Sequence, residues 1–152
     1  MTLAINRFMR FALKALSYPD IDLKKSYPIE RTVKEWKAVP LLKPLYKRWN
    51  RQINCDGREV LTRVYMPETG NSKDTLLFFH GGGWVTESID TYNRVCRNLA
   101  KHTGCRVISV EYRLAPEYPF PHGLEDCYAV AKELFLHPES QAVAPGQVTL
   151  IG

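Results

Sequence analysis

Apolar residues follow two different spacings along this chain. Up to about residue 48 they recur at helical intervals, and from residue 49 onward they alternate or gather in strand-length runs. Ile5, Phe8, Met9, Ala12, Leu13 and Leu16 fall at i, i+3, i+4, i+7, i+8 and i+11, with Arg7, Arg10 and Lys14 on the other side. That spacing predicts an amphipathic helix over residues 3–16. Ser17-Tyr18-Pro19-Asp20 ends it, because proline and the residue before it resist helical geometry. A second short helix is predicted over Ile29–Ala38, before Pro40, and Pro44 interrupts the stretch from Leu41 to Trp49. Short, separately broken helices ahead of the first strand predict a helical cap or lid segment over residues 1–48, with the core over 49–152.

The core begins with a hairpin. Strands are predicted at Trp49–Asn54 and Glu59–Met66 around Cys55-Asp56-Gly57, and Asp-Gly between two such runs is a strong turn signal. In the second strand Val60, Thr62 and Val64 alternate with Leu61, Arg63 and Tyr65, which predicts one face open to solvent. Pro67–Ser72 reads as a surface turn. Thr75–Phe79 is a continuous, mostly apolar run, the mark of a strand covered on both faces. Ser88 or Asp90 then caps a helix with the stripe Tyr92, Val95, Cys96, Leu99 and Ala100. His102 lies in its last turn and Gly104 just beyond, where helix ends favour glycine. Arg106–Tyr112 reads as the next strand. Prolines 116, 119 and 121 force an irregular connection into a helix from about Gly123 to Leu136, with Leu124, Cys127, Val130, Ala131, Leu134 and Phe135 inward. The helix stops before Pro138, Ala144-Pro145-Gly146 turns the chain, and Gln147–Ile151 starts a final strand. Strand, helix, strand, helix, strand from residue 75 predicts an α/β fold with a mostly parallel sheet flanked by helices.

Composition narrows the function classes. With 45% hydrophobic and 24% charged residues, the 152-residue chain is that of one folded domain, not a disordered one. No apolar run approaches the ~18 residues of a membrane span, and Arg7, Arg10 and Lys14 interrupt any secretory signal core. The first 51 residues hold 12 of the 21 Lys and Arg but only 4 of the 16 acidic residues. These bases are scattered, with no run longer than the pairs Lys24-Lys25 and Lys47-Arg48, so a solvated helical face is expected and no nucleic-acid partner. Membrane contact would come only through residues 3–16, although a helix packed on its own domain is the commoner outcome. Cys55, Cys96, Cys105 and Cys127 form no C-x-x-C and no zinc-like spacing with His80, His102, His122 or His137. They read as free thiols of a reducing, cytoplasmic compartment, and no metal or cofactor is expected.

The candidate chemistry sits where the Thr75–Phe79 run drops into His80-Gly81-Gly82-Gly83-Trp84. Three glycines remove every Cβ, so the backbone can turn sharply and present N–H groups to something bound. Such a loop after a strand is either an oxyanion hole for acyl transfer or a tight structural turn. Neither a Walker loop nor a Gly-x-Gly-x-x-Gly dinucleotide fingerprint is present.

A second string, Val110-Glu111-Tyr112-Arg113-Leu114-Ala115-Pro116-Glu117 running on to Pro119-Phe120-Pro121, changes that balance. Together the two strings resemble the hormone-sensitive-lipase-like branch of the α/β-hydrolases, which includes bacterial esterases of the acetyl-esterase type. The resemblance covers most of residues 50–152 and matches the family's cap only loosely before that. It implies a carboxylic ester hydrolase acting on small, short-chain esters without a cofactor. By the same resemblance Gly82 and Gly83 supply the oxyanion N–H donors, Gly81 permits the turn, His80 braces the loop, and Trp84 walls the substrate pocket. Tyr112, Arg113, Glu117 and Asp126 read as scaffold, with Arg113 paired to Glu117 and Asp126 fixing the following helix. The family's nucleophile lies in Gly-Asp-Ser-Ala-Gly-type sequence just after the fifth strand, with the acid and histidine later still. None of Ser17, Ser26, Ser72, Ser88, Ser109 or Ser140 lies in G-x-S-x-G, and His122 and His137 precede the position of that serine. The chain is therefore expected to be the N-terminal half of such an esterase, with Gly152 as the first glycine of the elbow, and inactive as it stands. A non-catalytic ligand-binding member of the same fold and a non-functional gene fragment are the competing classes. No oligomeric state follows from the sequence.

Overall fold

A computed structural model describes residues 23–38, 47–67, 73–144 and 147–152. The predicted helix over 3–16, the breaks at 17–20 and at Pro40 and Pro44, most of the Pro67–Ser72 turn and the Pro145-Gly146 turn lie outside the described residues. The elements are α1 (Leu23–Ala38), β1 (Arg48–Cys55), β2 (Arg58–Tyr65), β3 (Thr75–Phe79), α2 (Asn93–Thr103), β4 (Arg106–Val110), α3 (His122–Leu136), a 3₁₀ turn (Pro138–Gln141) and β5 (Val148–Ile151). Helix α1 starts six residues before the expected Ile29 and carries Pro28 inside it. Proline lacks the N–H that would bond the preceding turn. Here Arg31 and Lys34 anchor the following turn to the core, and the helix runs through.

The strands form one sheet in the order β1-β2-β4-β3-β5. β1 pairs with β2, and β2 with β4, antiparallel; β3 is parallel to both β4 and β5. The hairpin is as tight as Asp-Gly allows: Cys55 pairs with Arg58, leaving Asp56 (φ 52°) and Gly57 (φ 86°) as its two turn residues. Both central residues at positive φ match the right-handed twist of the strands. Asn54 Oδ1 accepts the Gly57 amide at 3.0 Å.

Helix α3 closes one face of the sheet and α2 the other. On the first, Ile53, Val60, Val64, Leu77, Ile108 and Val110 pack with Cys127, Val130 and Leu134 of α3. On the second, Tyr65, Phe78 and Val107 pack with Cys96 and Ala100 of α2. Two expectations change as a result. Strand β2 is not half-exposed along its length, since Thr62, Arg63, Val64 and Tyr65 are all buried. It lies between β1 and β4, with α2 over its second face, and the Arg63 guanidinium there pairs with Asn50 and Asp90. The helix stripes are also narrower than expected. Val95 on α2, and Leu124 and Phe135 on α3, are about half exposed, each about 100° around the helix from a buried neighbour (Cys96, Gly123 and Leu134).

Helix α2 has no side-chain cap at its first residue. Ser88 instead closes the turn leading into it, its Oγ accepting the amides of Asp90 and Thr91. At the other end Gly104 (φ 70°) donates to Ala100 O at 3.1 Å, the expected glycine stop. β4 ends at Val110, two residues short of Tyr112. The three parallel strands thus deliver the glycine loop, the proline-rich connection and Gly152 to one edge of the sheet, where α/β folds bind their ligands.

Candidate active site

Gly82 determines the shape of the loop. Its φ is 115°, and a Cβ there would stand 2.1 Å from Thr86 O, a contact no side chain can make. The reason is that the chain folds back on it: Gly82 O accepts the amides of Val85 (3.2 Å) and Thr86 (3.0 Å) and the Thr86 hydroxyl at 3.2 Å. Gly83 needs glycine only for its conformation (φ 62°), since its Cβ would meet nothing within 4 Å. The amides of Gly82 and Gly83 donate to none of the described acceptors. With those of Gly81 and Trp84, they make a run of four N–H donors that is uncommitted among the described residues at the carboxyl end of β3.

His80 is buried at 4% exposure and holds the loop from beneath. Its Nδ1 lies 2.8 Å from Gly81 O, while the Tyr112 hydroxyl donates to His80 O and the two rings stack at 4.2 Å. A phenol has one proton to give, so the Nδ1 proton goes to Gly81 O. Burial lowers the His80 pKa below its ordinary value, leaving a neutral Nδ1–H ring at pH 7. Its Nε2 is buried without a described partner. Burial likewise raises the Tyr112 pKa, so the phenol stays a donor. The Tyr112 hydroxyl thus acts on the glycine loop itself. Phe79 pairs with Val110 in the parallel register, so the residues that follow each run side by side.

Trp84 (φ 63°) is half exposed. Its carbonyl accepts the Ala115 amide at 2.8 Å, its ring lies 5.0 Å from that of Tyr112, and a Cβ on Gly123 would approach its Cε3 to 3.0 Å. It therefore joins the loop to the proline-rich connection and to the start of α3.

The expected Arg113–Glu117 pair does not form. Arg113 reaches Asp126 instead, with Nε to Oδ2 at 2.8 Å, Nη2 to Oδ1 at 2.9 Å, and its own amide to Oδ2 at 3.0 Å. Asp126 sits one turn into α3 at 3% exposure, so the strand exit and the helix are clasped together, and a fork matched to a carboxylate outcompetes a solvated partner. Glu117 pairs with Arg31 of α1 at 3.1 Å. Arg31 also donates to Val85 O and Ala115 O. Sequence reasoning missed it, because helical periodicity does not say where a helix docks.

Other reactive groups stand apart. Burial pushes the thiols of Cys96 to about 11 and Cys127 to about 12, so neither is a thiolate nucleophile near neutrality. His122 faces Pro119 O through Nδ1 at 2.6 Å, and His137 stands beside Glu139. Among the described residues no three His, Cys, Asp or Glu gather as a metal site, and no helix is long and apolar enough to cross a membrane. At the end of β5, Ile151 pairs with Phe78, and a Cβ on Gly152 would lie 3.1 Å from Phe79 O. Gly152 is thus beside the root of the glycine loop.

Comparison with known proteins identifies the fold. The alpha/beta hydrolase fold family matches residues 76–152. The chain belongs to that family, in its hormone-sensitive-lipase-like branch. It is 42% identical over 105 residues to Lipase 2 of Moraxella sp. (strain TA144), covering 65% of this chain and 24% of the lipase. It is 34% identical over 94 residues to an acetyl esterase of Salmonella typhi, covering 62% and 29%. Among solved structures, the Pyrobaculum calidifontis esterase superposes with a TM-score of 0.71 at 31% identity, over 97% of this chain and 48% of that one. The chain thus spans about half the length of that solved esterase, and the matches cover about a quarter of the lipase and somewhat more of the acetyl esterase.

Proposed function

We propose that this chain carries the oxyanion-hole half of a carboxylic ester hydrolase for small, short-chain esters, with residues 1–48 as a cap or lid over the core of 49–152. The observation that carries this reading is the pair of uncommitted amides of Gly82 and Gly83, on a loop whose shape only glycine permits. When a nucleophile attacks an ester carbonyl, charge gathers on the oxygen, and fixed donors 2.7–3.1 Å away stabilise the transition state more than the ground state. Gly82 and Gly83 supply those donors; the turn expected of Gly81 falls to Gly82, while Gly81 leaves room for the Tyr92 hydroxyl; His80 braces the loop through Gly81 O, and Trp84 walls the acyl or alcohol side.

His80 is a brace and not the catalytic base: Gly81 O holds its Nδ1 proton, and its Nε2, the nitrogen that would have to take a proton, is buried with no described partner. The family's serine follows the strand that β5 represents, and the β3–β5 register supports an elbow beside His80. Names of relatives such as lipase, arylesterase and acetyl esterase support ester substrates. The free cysteines support a reducing, cytoplasmic setting.

None of the chain's serines lies in G-x-S-x-G, so the 152-residue polypeptide is expected to leave 4-nitrophenyl acetate hydrolysis at the buffer rate. An oxyanion hole alone gives only residual assistance. Turnover well above buffer that a serine-directed phosphonate blocks would contradict this.

A further inference from the structure

The loop leaves the sheet at Phe79, and no strand ladder supports it beyond that point. Its far side is held by backbone carbonyls that accept from elsewhere. Trp84 O takes the Ala115 amide. Val85 O takes Arg31 Nε at 2.9 Å and Nη2 at 2.7 Å, and the same Nη2 donates to Ala115 O at 2.8 Å. One guanidinium therefore closes a ring through Val85, Trp84 and Ala115, bridging the glycine loop and the proline-rich connection. Glu117 accepts Nη1 at 3.1 Å and fixes the plane of the fork, and Tyr27 lies 4.8 Å from the guanidinium carbon. Lys34, one turn on, reaches Thr86 Oγ1 at 3.3 Å and pairs with Glu87. The Arg31 side chain is only 22% exposed, so water competes weakly for these carbonyls.

We propose that Arg31 is a positioning residue for the oxyanion loop: from helix α1, with Lys34 beside it, its guanidinium sets the orientation of the Gly82 and Gly83 amides. The proposal rests on the esterase reading of the loop for its functional meaning, but its geometry can be tested without catalysis. The turn that Arg31 holds at Val85 is the same turn that closes onto Gly82 O. Releasing Val85 O loosens Val85 N and Thr86 N from Gly82 O and lets the adjacent peptide planes rotate. A lysine keeps the charge, but its single nitrogen on a shorter stem cannot stand where Nε, Nη1 and Nη2 all stand, so it cannot keep the two-nitrogen grip on Val85 O together with the contacts to Ala115 O and Glu117.

The test uses the 152-residue polypeptide and its Arg31→Lys and Arg31→Gln variants, followed by amide-resolved NMR and hydrogen exchange. Both variants are expected to move the Gly82 and Gly83 amide resonances. Exchange should rise by about tenfold at the Val85, Thr86 and Ala115 amides while sheet amides such as Leu77 and Ile108 stay within about twofold, the pattern of a local opening. The lysine variant, which preserves charge, should fail to restore the glycine resonances. Unmoved glycine resonances, a uniform rise in exchange across the sheet, or full rescue by lysine would each overturn the proposal. A loop that responds to Arg31→Lys yet binds no anion would keep the positioning role and count against the esterase reading alone.

Discussion

Gly82→Ala is expected to destabilise the chain by roughly 3 kcal/mol, against about 1 kcal/mol for Gly83→Ala one residue on. Both residues have positive φ, 115° and 62°, and an L-residue held there costs about 1–2 kcal/mol. The difference is space. At Gly83 a methyl group enters open volume, whereas at Gly82 it meets a backbone oxygen at 2.1 Å. A backbone atom cannot swing aside as a side chain does, so the 82–86 turn must open and give up the Val85 and Thr86 bonds to Gly82 O. Each such bond contributes about 1 kcal/mol. Urea unfolding of the two variants checks this, and equal midpoints would show that the turn does not close on Gly82.

Asp126→Ala is expected to cost about 2–3 kcal/mol, and Asp126→Asn less. The carboxylate is almost fully buried and accepts from Arg113 through two side-chain nitrogens and the backbone amide, with Arg58 Nη2 a further 3.1 Å away. Breaking a buried pair by removing one partner costs about 3–5 kcal/mol. The lower figure applies here because Arg113 and Arg58 remain 25% and 40% exposed and regain water. Asparagine keeps an acceptor for one arm of the fork. Chemical denaturation of both variants tests the order. An alanine variant as stable as the parent would mean that the clasp between the β4 exit and α3 contributes nothing.

The elements from residue 48 onward were legible because their signals are local. Asp56-Gly57 specifies a two-residue turn by its backbone needs, Gly104 a helix stop, and the apolar Thr75–Phe79 run a strand between two others. The glycine loop was legible as a turn for the same reason, since Gly82 and Gly83 both take the positive φ that glycine accepts freely. What was misread depends on distant parts of the chain. Arg63 looked solvent-facing until α2 covered it, and Arg113 was assigned to Glu117 because Asp126 comes near only once α3 folds back. The reach of Arg31 to Val85 and Ala115 spans more than 50 residues and leaves no periodic trace. Val95, Leu124 and Phe135 show a further limit: a helical stripe gives the buried side but not its width.

If the Gly82 and Gly83 amides form an oxyanion hole, they bind an anion. Methylphosphonate mimics the charged tetrahedral centre, and it can be titrated into the isotope-labelled 152-residue polypeptide while the glycine amide resonances are followed. The Gly82 and Gly83 amide protons are expected to move downfield together and saturably, while Gly57 and Gly104, also at positive φ, stay in place. A folded chain in which neither loop glycine responds, or in which all four move alike, would contradict it.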